Sequence, residues 1–182
     1  MFAAPLAPHL AAQAEGCRVD ATLLREGIRY WKKTSDVVIV EGAGGLMSPI
    51  SDDDYNADLA AEFGYPLVVV AANELGTINA TLQTLITARA FRKGIRYSTS
   101  HPAASMVASP SENAACPLVV AGIVLNSPRR NLDDPSVQTN ATELSRRCYV
   151  PLLATIEHGG ELDCSVDWRL LAETTDRERQ RG

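Results

Sequence analysis

The chain has 182 residues, 46% of them apolar, and a formal charge of −5 from 17 basic and 22 acidic side chains. That length implies one domain with enough chain for a core. The mild acidity argues against a nucleic-acid binder, which needs a concentrated basic face. No apolar run approaches the roughly 18–20 residues of a membrane-spanning helix, so no membrane partner is expected. The start, MFAAPLAPHLAAQAEG, lacks the basic lead and long apolar stretch of a signal peptide. Cys17, Cys116, Cys148 and Cys164 lie far apart with no CxxC, which supports neither a zinc site nor a disulfide framework. A cytoplasmic protein with reduced thiols is the expectation.

In chain order, Asp20 to Lys33 carries Leu23, Leu24, Ile28 and Trp31 near helical spacing, with Asp20 as its N-cap. Val37-Val38-Ile39-Val40 is a continuous β-branched run ended by Glu41-Gly42-Ala43-Gly44-Gly45, the pattern of a strand buried on both faces. Asp58 to Phe63 reads as a short helix closed by Gly64, and Leu67 to Ala72 as a second buried strand. A helix is expected from about Thr77 to Arg92, stopping at Gly94. Tyr97 to Pro117 is rich in Ser, Ala and Pro and has neither period, so an inserted mobile loop is expected. Leu118 to Leu125 forms a third strand ending at Asn126-Ser127-Pro128. A helix near Ser136 to Arg147 and an apolar run from Val150 to Ile156 follow. Residues 1–172 thus read as one domain and 173–182 as a charged, frayed tail.

Apolar strands alternating with helices predict an α/β fold, a parallel sheet with helices on both faces. Ligands bind such sheets beyond the carboxyl ends of the strands. That rule selects Glu41 to Gly45, Asn73 to Asn79, and Asn126 onwards. Glu41 offers a fixed carboxylate of the kind that helps hold magnesium beside phosphates, and the glycines let backbone amides approach a ligand. Taken alone, the segment is equally a Gly-rich turn. Gly76 and Thr77 open a helix whose free amides attract carboxylates or phosphates, or merely cap it. Asn126 offers a donor and an acceptor to a purine edge, or simply forms a turn. His9, His101 and His158 have no metal-ligand spacing, Asp52 to Asp54 reads as a solvated acidic loop, and Trp31 and Trp168 are expected to pack.

Taken together and in order, several segments resemble dethiobiotin synthetase. They are APHLAA (Ala7 to Ala12), DVVIVEGAGGLMSPI (Asp36 to Ile50), ADLA (Ala57 to Ala60), PLVVVAANELGTINATLQTL (Pro66 to Leu85), VAGIVLNSP (Val120 to Pro128) and VPLLATI (Val150 to Ile156). The resemblance implies a P-loop NTPase-like (Rossmann-like) fold lacking its first strand and phosphate loop. It also implies the family's reaction. Carbon dioxide carboxylates 7,8-diaminononanoate, ATP phosphorylates the carbamate, and the second amine displaces phosphate and closes the ureido ring. By the motif match Glu41 is a magnesium ligand, and Glu41, Gly42, Ala43 and Gly44 line the phosphates. Asn126 and Ser127 meet the adenine, Cys148, Tyr149 and Val150 lie against the base, and Gly76, Thr77, Ile78 and Asn79 bind the substrate's carboxylate tail. The family works as a homodimer, the tail-binding helix coming from the partner subunit.

The chain also departs from that pattern. No GxxxxGK[ST] occurs, and none of the three lysines, Lys32, Lys33 and Lys93, follows a glycine-rich loop. Thr155 stands where the family usually has an acid near the nucleotide sugar, and Ala80 where it often has histidine. Electrostatic groups of the phosphate-loop kind are worth about 3–4 kcal/mol each, so impaired ring closure is expected. The alternatives are a non-catalytic nucleotide- or partner-binding remnant of the family, or an amidoligase of the same superfamily.

Overall fold

The structure is a computed structural model that describes residues 2–91, 118–130, 133–162 and 165–172. The expected loop at 97–117, the expected helix stop at Gly94 and the tail at 173–182 lie outside these residues. Among the described residues eight elements follow in order: α1 (Pro8–Ala14), α2 (Ala21–Thr34), α3 (Asn56–Phe63), β1 (Leu67–Ala72), α4 (Thr77–Ala90), β2 (Val120–Asn126), α5 (Val137–Arg147) and β3 (Leu152–Ile156).

The three strands form one parallel sheet in the order β1-β2-β3. Each connection steps in the same direction, and parallel crossovers are right-handed, so α4 and α5 fall on the same face. They do: α4 packs on β1, α5 on β3, and the two helices touch. Between them and the sheet lies the core of Ala71, Leu85, Ile123, Leu125 and Leu144. A second cluster joins Ala57 of α3 to Ala88, Phe91 and Leu118 near the strand starts.

The α/β parallel sheet with flanking helices forms, but the expectation that every strand is buried on both faces is corrected by β1. Its side chains alternate, Ala71 lying against the core while Val68 and Val70 are exposed on the opposite face. Only β2, flanked by strands on both sides, is buried through Gly122–Leu125.

A second correction concerns Val37 to Val40, which forms no strand. Ile39 is 90% exposed, and Val37 and Val40 are about half exposed. The reason is the lack of a partner. Strand propensity expresses packing against cross-strand neighbours, and among the described residues no strand pairs with this run or with the free edge of β1. The helix predicted after Asp20 forms, and the Asp20 carboxylate accepts from the amides of Thr22 and Leu23 as its N-cap. Its apolar stripe does not bury: Leu23, Leu24 and Trp31 stay exposed, Trp31 meeting Tyr30 edge-on rather than a core. Arg25 holds α2 instead, donating to Asp54 at 3.1 Å and Glu62 at 3.0 Å. These carboxylates push the guanidinium pKa further up, so it stays charged. Asp54, expected in a solvated loop, is thus a structural anchor, also accepting from Ser51.

Candidate functional site

All three strands run the same way, so their carboxyl ends share one rim. Asn126 ends β2 opposite Ala72 of β1 and Ile156 of β3. The three following turns are stitched together there. The Asn73 amide donates to the Asn126 carbonyl at 2.7 Å, and the Ser127 amide to the Ile156 carbonyl at 2.8 Å. The Asn73 side chain donates to the Ser127 hydroxyl at 3.3 Å. His158, just past β3, places Nδ1 3.1 Å from the Pro128 carbonyl.

From the α5 side, the buried Asn140 donates to Asn73 Oδ1 at 3.0 Å and to the Glu74 carbonyl at 3.3 Å. Asp134 accepts from the amides of Leu75 and Ser136 at 2.9 Å each. The Ser136 donors, together with the Leu75 amide, hold its carboxyl below the usual range. Arg129 pairs with Glu74 across the surface at 3.0 Å. The rim is therefore rigid and polar, with Asn126 and Ser127 half-buried in it.

Beside the rim, Gly76 turns the chain into α4 with φ +100°, a conformation open to glycine at little cost. No side chain caps this helix, and the Thr77 amide already donates to the Glu74 carbonyl at 3.2 Å, so the amides of Ile78 and Asn79 are what its start leaves as a weak anion site. A cleft of about 290 Å³ opens there, lined by Val70, Ala72, Leu75, Thr77, Ala80 and Thr84. Gly76 lines it too. Asn79 is exposed, whereas the Ile78 side chain packs on the core, so Ile78 offers a ligand only its backbone.

The glycine-rich loop is held elsewhere. Asn56, buried at the start of α3, donates to the carbonyls of Ala43 at 3.1 Å and Gly45 at 2.8 Å. Gly44 has φ +86°, and a Cβ there would lie 2.5 Å from the Ser48 hydroxyl, so this position requires glycine. Leu46 then packs on the Ala57 cluster at the strand starts. These supports belong to α3 and its neighbours, not to the turns after β1, β2 and β3. Glu41 itself is exposed. Among the described residues no group of three or more His, Cys, Asp or Glu could hold a metal ion. Glu41 therefore fits magnesium only as one oxygen ligand beside a nucleotide's phosphates and water.

The remaining expected residues stand at the wrong end. Cys148, Tyr149 and Val150 precede β3, so they lie at the strand starts, opposite Asn126 and Ser127. Cys148 and Val150 pack on the core, and Tyr149 is exposed, its hydroxyl donating to the Leu85 carbonyl at 3.2 Å. Burial pushes the Cys148 thiol pKa up. The two groups cannot flank one base. The segment that shares the rim with Asn126 and Ser127 is Ile156 to His158. Sequence reasoning passed over Glu157 and His158, and over Asn56 and Asn140. The first pair was legible from the rule that sites follow strands. The two asparagines had no signal: Asn140 is a polar residue within an expected helix, and Asn56 precedes the helix expected from Asp58.

Comparison with known proteins agrees with this architecture. Residues 1–164 match a family model described as an AAA domain. The chain is 36% identical over 165 residues to the ATP-dependent dethiobiotin synthetase BioD of Rhodopirellula baltica, covering 85% of this chain and 54% of that protein. It is 39% identical over 155 residues to the protein of the same name from Anaeromyxobacter dehalogenans, covering 85% and 58%. The corresponding protein of Bacillus licheniformis is 37% identical over 158 residues, covering 84% and 54%. The chain thus spans a little over half the length of the curated relatives it matches. A parallel sheet with packed helices, and a family match across nine-tenths of the sequence, place the chain in the AAA domain family.

Proposed function

We propose that this chain carries the nucleotide-base and substrate-tail portions of a dethiobiotin synthetase. Ring closure by these 182 residues alone is impaired. The observation that carries the reading is the stitched rim at the ends of β2 and β3, where Asn126 and Ser127 sit between Asn73 and Ile156. Asn126 and Ser127 would read the adenine edge of ATP, with Glu157 and His158 bordering them in place of Cys148 to Val150. The first turn of α4, Gly76 to Asn79, would receive the carboxylate tail of 7,8-diaminononanoate, the backbone amides of Ile78 and Asn79 supplying the partial positive charge. Glu41 to Gly44 would approach the phosphates. Magnesium, when bound with ATP, would offset phosphate charge, and Glu41 would be its protein ligand. The resemblance further supports a cytoplasmic homodimer. No helix among the described residues is long and apolar enough to cross a membrane.

Impairment follows from the chemistry. Phosphoryl transfer relies on a cradle of amides and a lysine around the transferred group. The sequence contains no GxxxxGK[ST]. The test is direct: purified chain, diaminononanoate, bicarbonate and Mg-ATP, read as dethiobiotin formed. ADP binding without appreciable turnover is expected. Robust turnover refutes the impairment, and absence of any ADP binding refutes the site.

A second reading, a partner-binding remnant, is favoured by the exposed Val37, Ile39 and Val40 beside the exposed stripe of α2. It predicts assembly on a sizing column that is lost when Ile39 is replaced by a charged residue. A monomer of unchanged size counts against it.

A further inference from the structure

Asn140 is 1% exposed, and the proposed chemistry makes no direct use of it. A buried side-chain amide must place its donors and acceptor or bear the cost of leaving them unmet. Its Nδ2 meets the Glu74 carbonyl, which can only accept. That contact fixes which side of the amide is the NH2 group. The sense then propagates. Asn73 Oδ1 accepts from Asn140, so the Asn73 NH2 group must face the other way, where it donates to the Ser127 hydroxyl. A directed chain of donors therefore runs from α5, through the turn after β1, to the turn after β2. With a lone pair of Ser127 engaged by Asn73, the Ser127 proton is left to point outward.

We propose that Asn140 is a positioning residue that sets the hydrogen-bond sense of Ser127, making the rim a donor to a purine acceptor and coupling the substrate-tail turn to the base turn. The ligand side of this inference rests on the adenine reading above. The coupling side does not.

The test uses near-isosteric inversions. In Asn140→Asp the carboxylate cannot donate, so the Asn73 amide must turn over and Ser127 must give its proton inward. Asn73→Asp forces the same inversion without touching α5, and serves if the first variant fails to fold. Calorimetry with ADP on the full chain should show affinity reduced about 10-fold by either variant, and about as much by Ser127→Ala. The double variant Asn140→Asp with Ser127→Ala should lose about 10-fold rather than about 100-fold, because both changes remove one donor. A purely structural role predicts independent, multiplying losses, and that result would overturn the proposal, as would unchanged affinity in both inversions. Amide exchange on the ligand-free chain provides the second readout. Asn140→Ala should accelerate exchange at Asn73 and Ser127 together, and acceleration confined to Asn73 sinks the coupling. If the unaltered chain binds no ADP, the adenine reading fails, and exchange alone decides whether Asn140 couples the two turns.

Discussion

Val37-Val38-Ile39-Val40 and Val68-Val69-Val70 are near-identical runs of β-branched residues, yet one is an exposed connector and the other a strand. The difference lies in their neighbours. Val68 to Val70 pair with Gly122 to Val124 of β2, and α4 covers one of their faces. Val37 to Val40 have no pairing strand among the described residues. The same contrast separates the larger regions. From Leu67 onward, apolar side chains converge on Leu85, Ile123, Leu125 and Leu144. Before it, α2 exposes its apolar stripe and is held by an arginine clamp. Sheet pairing is thus what turns a β-branched run into a strand and a periodic helix into a packed one.

The contrast can be broken by paired substitutions. Leu144→Ala, at a fully buried position, should cost about 2–5 kcal/mol in denaturant unfolding. Ile39→Ala should fall within about 0.5 kcal/mol of the parent. Comparable costs would mean that the 37–40 run is buried in solution. A smaller effect is expected at the clamp. Arg25→Ala removes charge-assisted bonds to Asp54 and Glu62, but the groups are partly exposed, so about 1–2 kcal/mol is expected. The loss should appear as faster amide exchange in α2, with β2 unchanged. Uniform loosening of the sheet would show that the two regions are one cooperative unit.

The smallest effect depends on pH. The Asp134 carboxyl is held below its ordinary value of 3.8 by donors from Ser136 and Leu75. The unfolded chain therefore takes up this proton first on acidification. Its contribution is complete above the ordinary value and disappears as pH falls through the lower, folded value. Leu75 amide protection should hold from neutral pH to about 4 and weaken only in stronger acid. Weakening near pH 6 would assign the tie to another group.

Much of this was legible in the residues. Alternating apolar strands and helices pointed to a parallel α/β sheet, and β1, β2, α4 and α5 fall close to their expected bounds. Asp20 and Gly64 end their helices as their residue types require. Propensity alone misplaced Val37 to Val40, because composition does not reveal whether a partner strand is present. The candidate site was legible as far as strand ends mark it: Asn126 and Ser127 sit on the rim and Gly76 beside it. Cys148 to Val150 came from motif similarity and failed a topological check, since they precede a strand rather than follow one. Asn140 and Asn56 were invisible because their importance lies in carbonyls 66 and 13 residues away along the chain.

Where the base binds is decided by a titration of the isotopically labelled chain with ADP, followed by amide chemical shifts. The largest changes are expected at Asn126, Ser127, Glu157 and His158, at the shared carboxyl end of β2 and β3, with Cys148 to Val150 unmoved. Changes centred on Cys148 to Val150, or none at the rim, would contradict this placement.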